Sequence, residues 1–165
     1  PGYAPTTPAI TNVFMSSMTA IWGDVNDNTG YVLEASTEAW PNTYTGNRSS
    51  VTTNINATGL AFNESSLEPN TTYFMRAGAL YNGSTSYADT QPSSTATLTS
   101  LLVAAQVYKT YTTSITLNWA TFTYGSGANK AIGYRVVASS TNFNGGILYM
   151  LYRKTNTERL SAEIL

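Results

Sequence analysis

The chain has 165 residues, 8 basic and 9 acidic side chains and a net charge of −1, so only 10% of it is charged. That length holds one large domain or two small ones, and the charge balance leaves no basic face to attract nucleic acid. Cysteine and histidine are both missing, which excludes a disulfide framework, a thiol nucleophile, the usual general base and the commonest zinc ligand. No cofactor is expected. Serine, threonine, asparagine and tyrosine supply the polarity, a composition that suits strands wet on one side and disfavours long helices. No apolar run approaches the roughly 20 residues of a membrane span. The chain opens at Pro1 without a charged-then-apolar leader, which places any signal peptide upstream or among removed residues. This composition fits an exported bacterial surface protein.

Residues 1–8, with three prolines, read as an extended lead-in. A first strand is expected over Ile10–Phe14. Met18, Ala20 and Trp22 then alternate with Thr19, Ile21 and Gly23, which sets one face of a second strand inward. The turn Asp24–Gly30 is rich in residues that bond their own backbone or tolerate positive φ. Tyr31, Leu33 and Ala35 alternate through a third strand. Ser50–Thr58 reads as one weak polar strand ending at Gly59-Leu60. Tyr73, Met75, Ala77 and Ala79 point inward from the next, and Asn82-Gly83 makes a tight hairpin. Thr85–Ala88 and Thr95–Leu98 form a last strand interrupted near Pro92, which belongs at an edge because proline cannot donate to a ladder.

Two stretches repeat each other. Ser17-Met18-Thr19-Ala20-Ile21-Trp22 followed by Gly30-Tyr31-Val32-Leu33-Glu34-Ala35-Ser36-Thr37 returns as Ser114-Ile115-Thr116-Leu117-Asn118-Trp119 followed by Gly133-Tyr134-Arg135-Val136-Val137-Ala138-Ser139-Ser140-Thr141. The period, about 100 residues, is the size of one small β-sandwich. The tryptophan ending the second strand, the tyrosine opening the third, and Leu67-Glu68-Pro69-Asn70-Thr71-Thr72-Tyr73 together resemble a fibronectin type III domain. The last segment matches that family's Leu-x-Pro-x-Thr-x-Tyr pattern. The resemblance implies that Tyr73 is the corner residue, its ring in the core and its hydroxyl bonded to nearby backbone. The expected fold is all-β: tandem immunoglobulin-like (fibronectin type III) sandwiches, the second incomplete. The core is expected to include Trp22, Tyr31, Leu33, Leu67 and Tyr73 in the first copy and Trp119 and Tyr134 in the second.

The first domain is placed at residues 1–99. Residues 100–165 form a partial repeat of five strands that stops before any counterpart of the Leu-x-Pro-x-Thr-x-Tyr segment. Leu165 aligns with Leu60 across a two-residue gap. Ser100–Ala105 is short and apolar, and its leucines are expected to pack at the junction. Three arrangements stay open for the second copy: an excerpt of a longer repeat protein, a core filled in trans by a strand of another copy, or a rearranged domain with a helical end capped by Asn156 or Thr157. The apolar run Ile147–Tyr152 is an aggregation hazard if uncovered.

Each chemical motif has a plainer reading. Asp24-x-Asn26-x-Asn28 lacks the glycine and glutamate of a calcium loop and is better read as an Asx-rich turn. Gly125–Lys130 misses the spacing of a phosphate loop. The carboxylate pairs Glu34/Glu38 and Glu64/Glu68 read as solvated surface charges, so neither catalytic residues nor metal ligands are expected. The sequons at Asn47, Asn56, Asn63, Asn70 and Asn82 are no more than this composition produces by chance. Trp40, with Tyr44, lies outside the alternating core set. These two residues are the candidate contacts for a sugar ring or a protein partner, against the plainer fate of folding over the sandwich edge.

The expectation is a non-catalytic extracellular or cell-surface module, a spacer or adhesive unit whose partners are proteins, neighbouring repeats or subunits. The alternatives are an accessory module of a secreted polysaccharide-active enzyme, with polysaccharide as partner, and a subunit polymerised by strand exchange.

Overall fold

The computed structural model describes residues 2–41, 47–144, 147–153 and 159–163, the last two stretches as backbone. Every regular element among them is a strand, and no helix there is long and apolar enough to cross a membrane. The chain divides into two compact units, Pro1–Leu98 and Thr99–Leu165.

The first unit holds β1 (Thr6–Val13), β2 (Met18–Gly23), β3 (Gly30–Ser36), β4 (Arg48–Thr52), β5 (Gly59–Ala61), β6 (Thr72–Tyr81) and β7 (Ser84–Ala96). Their order is β4-β3-β6-β7-β1-β2-β5. Neighbours are antiparallel except β1 and β7, which meet in parallel at Ala9 and Gln91. β7 therefore serves both layers of the sandwich. Alternation sends Met18, Ala20 and Trp22 of β2, Tyr31, Leu33 and Ala35 of β3, and Tyr73, Met75, Ala77 and Ala79 of β6 into one core, closed by Phe62 and Leu67.

Two details depart from the sequence reading for local reasons. The polar stretch read as one strand is two, because side chains offer the backbone a competing partner. Thr52 Oγ1 accepts the Asn54 N–H at 3.1 Å, and Asn54 Oδ1 accepts the Asn56 N–H at 3.0 Å. The last strand, conversely, runs unbroken through Pro92. Its pairing with β6 shifts register between Phe74 and Arg76, and the buried Thr90 hydroxyl donates there to the carbonyls of Met75 at 3.2 Å and Pro92 at 2.8 Å. That hydroxyl supplies a donor where the ladder is interrupted.

The second unit holds β8 (Gln106–Thr110), β9 (Ser114–Asn118), β10 (Thr123–Tyr124), β11 (Lys130–Ala131), β12 (Tyr134–Ser139), β13 (Ile147–Arg153) and β14 (Arg159–Glu163). β8, β9, β12, β13 and β14 repeat β1 to β5 in order and in pairing: β14-β9-β8 is one sheet and β12-β13 the other. Its described core is smaller, built on Trp119, Phe122, Ala131 and Tyr134 with Leu117 and Val136 against them.

Three expectations change here. Residues 159–163 are a strand antiparallel to β9, not the end of a helix; Asn156 and Thr157 lie outside the described residues. Leu160 pairs with Leu117 as Leu60 pairs with Ala20, so Leu160, and not Leu165, is the counterpart of Leu60. The junction leucines Leu101 and Leu102 are exposed, at 78% and 43%.

Candidate interaction site

The tryptophan–tyrosine pair of each unit builds the same clasp. Trp22 and Tyr31 have ring centroids 5.5 Å apart and Trp119 and Tyr134 5.1 Å, both tilted. The Tyr31 hydroxyl accepts the Val25 N–H at 2.9 Å, and the Tyr134 hydroxyl accepts the Phe122 N–H at 2.6 Å. Each donor lies three residues after its tryptophan, so the same turn is tied to the same ring. Trp22 Nε1 donates to the Ala57 carbonyl at 2.9 Å, whereas the buried Trp119 Nε1 has no partner among the described residues. Leu33, Leu67 and Tyr73 are buried in the first core. The Tyr73 hydroxyl accepts the Glu68 N–H at 3.0 Å, closing the corner before β6.

On the outer face of the first unit a charged cluster stands over β3, β6 and β7. Register places Glu34 opposite Arg76 and Gly78 opposite Tyr87. The Arg76 guanidinium donates to Glu34 Oε2 from Nε at 2.8 Å and from Nη2 at 2.7 Å. The Tyr87 hydroxyl donates to Glu34 Oε1 at 3.1 Å. Arg76 Cζ also lies 3.7 Å from the ring centroids of both Trp40 and Tyr87. One cation thus holds a carboxylate and two aromatic rings, each contact reinforcing the geometry of the others. Gly78 makes the room: a Cβ there would meet Thr85 Cγ2 at 2.7 Å and the Tyr87 ring at 2.9 Å. Burial pushes the Tyr87 phenol above its ordinary value, and the Glu34 charge and hydrogen bond push it the same way.

Trp40 is half-buried, so it is neither a core residue nor a free platform. Arg76 covers one face of its ring, and its buried Nε1 has no partner among the described residues. It borders a cavity of about 160 Å³ with Ala39, Phe74, Asp89 and Ser93. Tyr44, its companion in the sequence reading, lies outside the described residues. Arg76 and Tyr87 carry the cluster and were not singled out from the sequence. The readable signal was an outward Glu34 and an outward Arg76 on two strands separated by a long loop, with Gly78 two residues on.

The Asn28 amide is engaged on both sides: Oδ1 accepts the Gly30 N–H at 2.9 Å within the turn, and Nδ2 shares its two protons among the Val25 carbonyl, the Tyr31 hydroxyl and the more distant Ile55 carbonyl. Gly125 and Gly127 take positive φ between the short strands β10 and β11. Among the described residues no three His, Cys, Asp or Glu side chains gather as a metal site. Glu34 is engaged as above, and Glu38 and Glu68 use their backbone N–H groups in turns.

No family model matches the sequence, and no curated protein does. Among solved structures, a two-domain fibronectin type III segment from chicken tenascin is similar over 99% of this chain and 84% of its own, at 13% identity and a TM-score of 0.52. The FN1-FN3 domains of chicken CNTN1 match at 15% identity and a TM-score of 0.44; the chain spans 58% of that structure, little over half its length. The fn3 domain of human collagen alpha-1(XX) matches 61% of this chain at 17% identity and a TM-score of 0.43. At 13% identity the likeness to the tenascin segment shows the fold alone. This chain has a fibronectin type III-like β-sandwich fold.

Proposed function

We propose that the chain is a non-catalytic module of an extracellular, multi-repeat surface protein, acting as a spacer or adhesive unit. One observation carries the reading: the same tryptophan–tyrosine clasp is built in both units. The repeated residues hold turns and cores, which is what a repeated structural module requires of them. The side chains best suited to chemistry in the first unit, Glu34, Arg76 and Tyr87, are engaged with one another on an outer face. Low charge and a surface of hydroxyl and amide groups suit contacts with neighbouring repeats or other proteins. A sugar-stacking role would have to use the other face of the Trp40 ring, because Arg76 covers one.

The test is surface labelling with an antibody raised against residues 1–98. Intact source cells should label without permeabilisation; labelling only after lysis overturns the extracellular assignment. Retention of the chain on insoluble polysaccharide, lost in Trp40→Ala, would replace the structural reading with the accessory one.

A further inference from the structure

The pairing of β6 with β7 is interrupted at one place. Phe74 pairs with Ser94 and Arg76 with Asp89, so Met75 alone is opposed by residues 90–93. Such a bulge re-aims the side chains beside it. A cavity of about 160 Å³ lies there, lined by Ala39, Trp40, Phe74, Asp89 and Ser93. Three polar groups of this lining are unused. The Trp40 indole N–H is the only buried side-chain N–H of the first unit that lacks an acceptor among the described residues. The Asp89 carboxylate and the Ser93 hydroxyl, on exposed residues, make no hydrogen bond or ion pair among them either. Asp89 stands opposite Arg76 in register, but the guanidinium is engaged by Glu34 and by the Trp40 and Tyr87 rings. Buried donors are nearly always paired, so the orphan N–H marks a place for an acceptor from outside the chain.

We infer that this cavity binds the acetamido group of an N-acetylated amino sugar. The lining selects that chemistry by elimination. An anion would meet the unpaired Asp89 carboxylate. A cation would suit Asp89 but leave the indole N–H without an acceptor, and an apolar group would leave it so as well. A neutral amide carries both complements: its carbonyl accepts from Trp40 Nε1, and its N–H donates to Asp89. The methyl of an acetamido group has Phe74 and Ala39 to rest on. The neighbouring sugar hydroxyls give Ser93 and the second Asp89 oxygen partners that a plain carboxamide lacks. Arg76 against one ring face fixes the indole before a ligand arrives, so the sugar is held through the N–H and not by stacking. The inference deepens the adhesive reading by naming what the unit adheres to, and rests on it for the setting in which such sugars are met. A chain found only inside the cell would sink that reading and leave the site untouched.

The probe is methyl N-acetylglucosaminide, titrated into the isotope-labelled full chain, whose three tryptophans give three indole N–H resonances in NMR. The Trp40 resonance, assigned by its loss in Trp40→Phe, should move downfield and saturate, while that of Trp22 stays in place. Methyl glucoside, which lacks the acetamido group, should move neither. Trp40→Phe keeps a ring against Arg76 and removes the N–H; binding, followed through the Ser93 and Asp89 amides, should be lost while the remaining amide pattern of the first unit persists. Asp89→Ala should weaken binding about tenfold, the loss of one charged hydrogen bond. Four results would overturn the inference: no saturable shift at Trp40 in the folded chain, an equal response to methyl glucoside, binding undiminished in Trp40→Phe, or tighter binding of the unacetylated methyl glucosaminide, a cation that Asp89 alone would hold.

Discussion

The backbone N–H of Glu68 donates to the hydroxyl of Tyr73, five residues on, at 3.0 Å. The ring is buried in the core while its oxygen caps the turn that leads into β6, so one side chain fixes the packing and the entry of a central strand. Removing the oxygen alone separates the two roles. Tyr73→Phe keeps the ring and leaves the Glu68 N–H without its acceptor, which costs about 1–3 kcal/mol. Chemical denaturation of the full chain should show the first unit unfolding at lower denaturant, with an unchanged slope.

The twin clasps make a paired prediction. Tyr31→Phe leaves the Val25 N–H without its acceptor and removes an acceptor of Asn28; Tyr134→Phe does the same to Phe122. Each change should weaken its own unit by about 1–2 kcal/mol, read as faster amide exchange at Val25 in the first variant and at Phe122 in the second. Loss of protection at both positions in a single variant would contradict two independently built clasps.

Arg76→Ala removes the cation from between Trp40 and Tyr87 and leaves Glu34 without its charge partner. The ion pair is partly solvated and therefore modest, but the two stacked rings add to it, and the first unit should lose about 1–2 kcal/mol. Trp40 should become more mobile and its fluorescence shift to the red. Arg76→Lys should recover only part of the loss, because an ammonium lacks the planar fork that pairs and stacks at once.

Gly78→Val tests the floor of the same cluster. The added Cβ would stand at 2.7 Å from Thr85 Cγ2 and 2.9 Å from the Tyr87 ring, so both side chains must move. The expected cost is about 1–3 kcal/mol. A double-mutant cycle with Tyr87→Ala should show strong coupling, since removing the ring removes most of the clash.

Tyr87 ionises at higher pH in the folded chain than in an ordinary tyrosine, chiefly through burial and then through Glu34. The unfolded chain, with the lower value, therefore loses its proton first. The stability tied to this group is complete below the usual tyrosine pKa of about 10 and is lost as pH rises through the folded value. Alkaline denaturation should begin at higher pH in Tyr87→Phe than in the parent. Phenolate absorbance should show one late-titrating tyrosine fewer.

The sequence by itself determined the all-β class, the recurrence of one strand-turn-strand motif, the inward alternation of β2, β3 and β6, and the tryptophan–tyrosine pairs. These are legible because strand periodicity and a short turn act over a few residues, where side-chain order translates directly into direction. Only the tertiary structure decided that Glu34, Trp40, Arg76 and Tyr87 meet, that Thr90 carries β7 past Pro92, that residues 159–163 extend beside β9, and that Leu160 stands where Leu60 does. Each of those depends on register between strands distant in the chain. A shift of one residue would turn every side chain to the opposite face, and no local pattern encodes it.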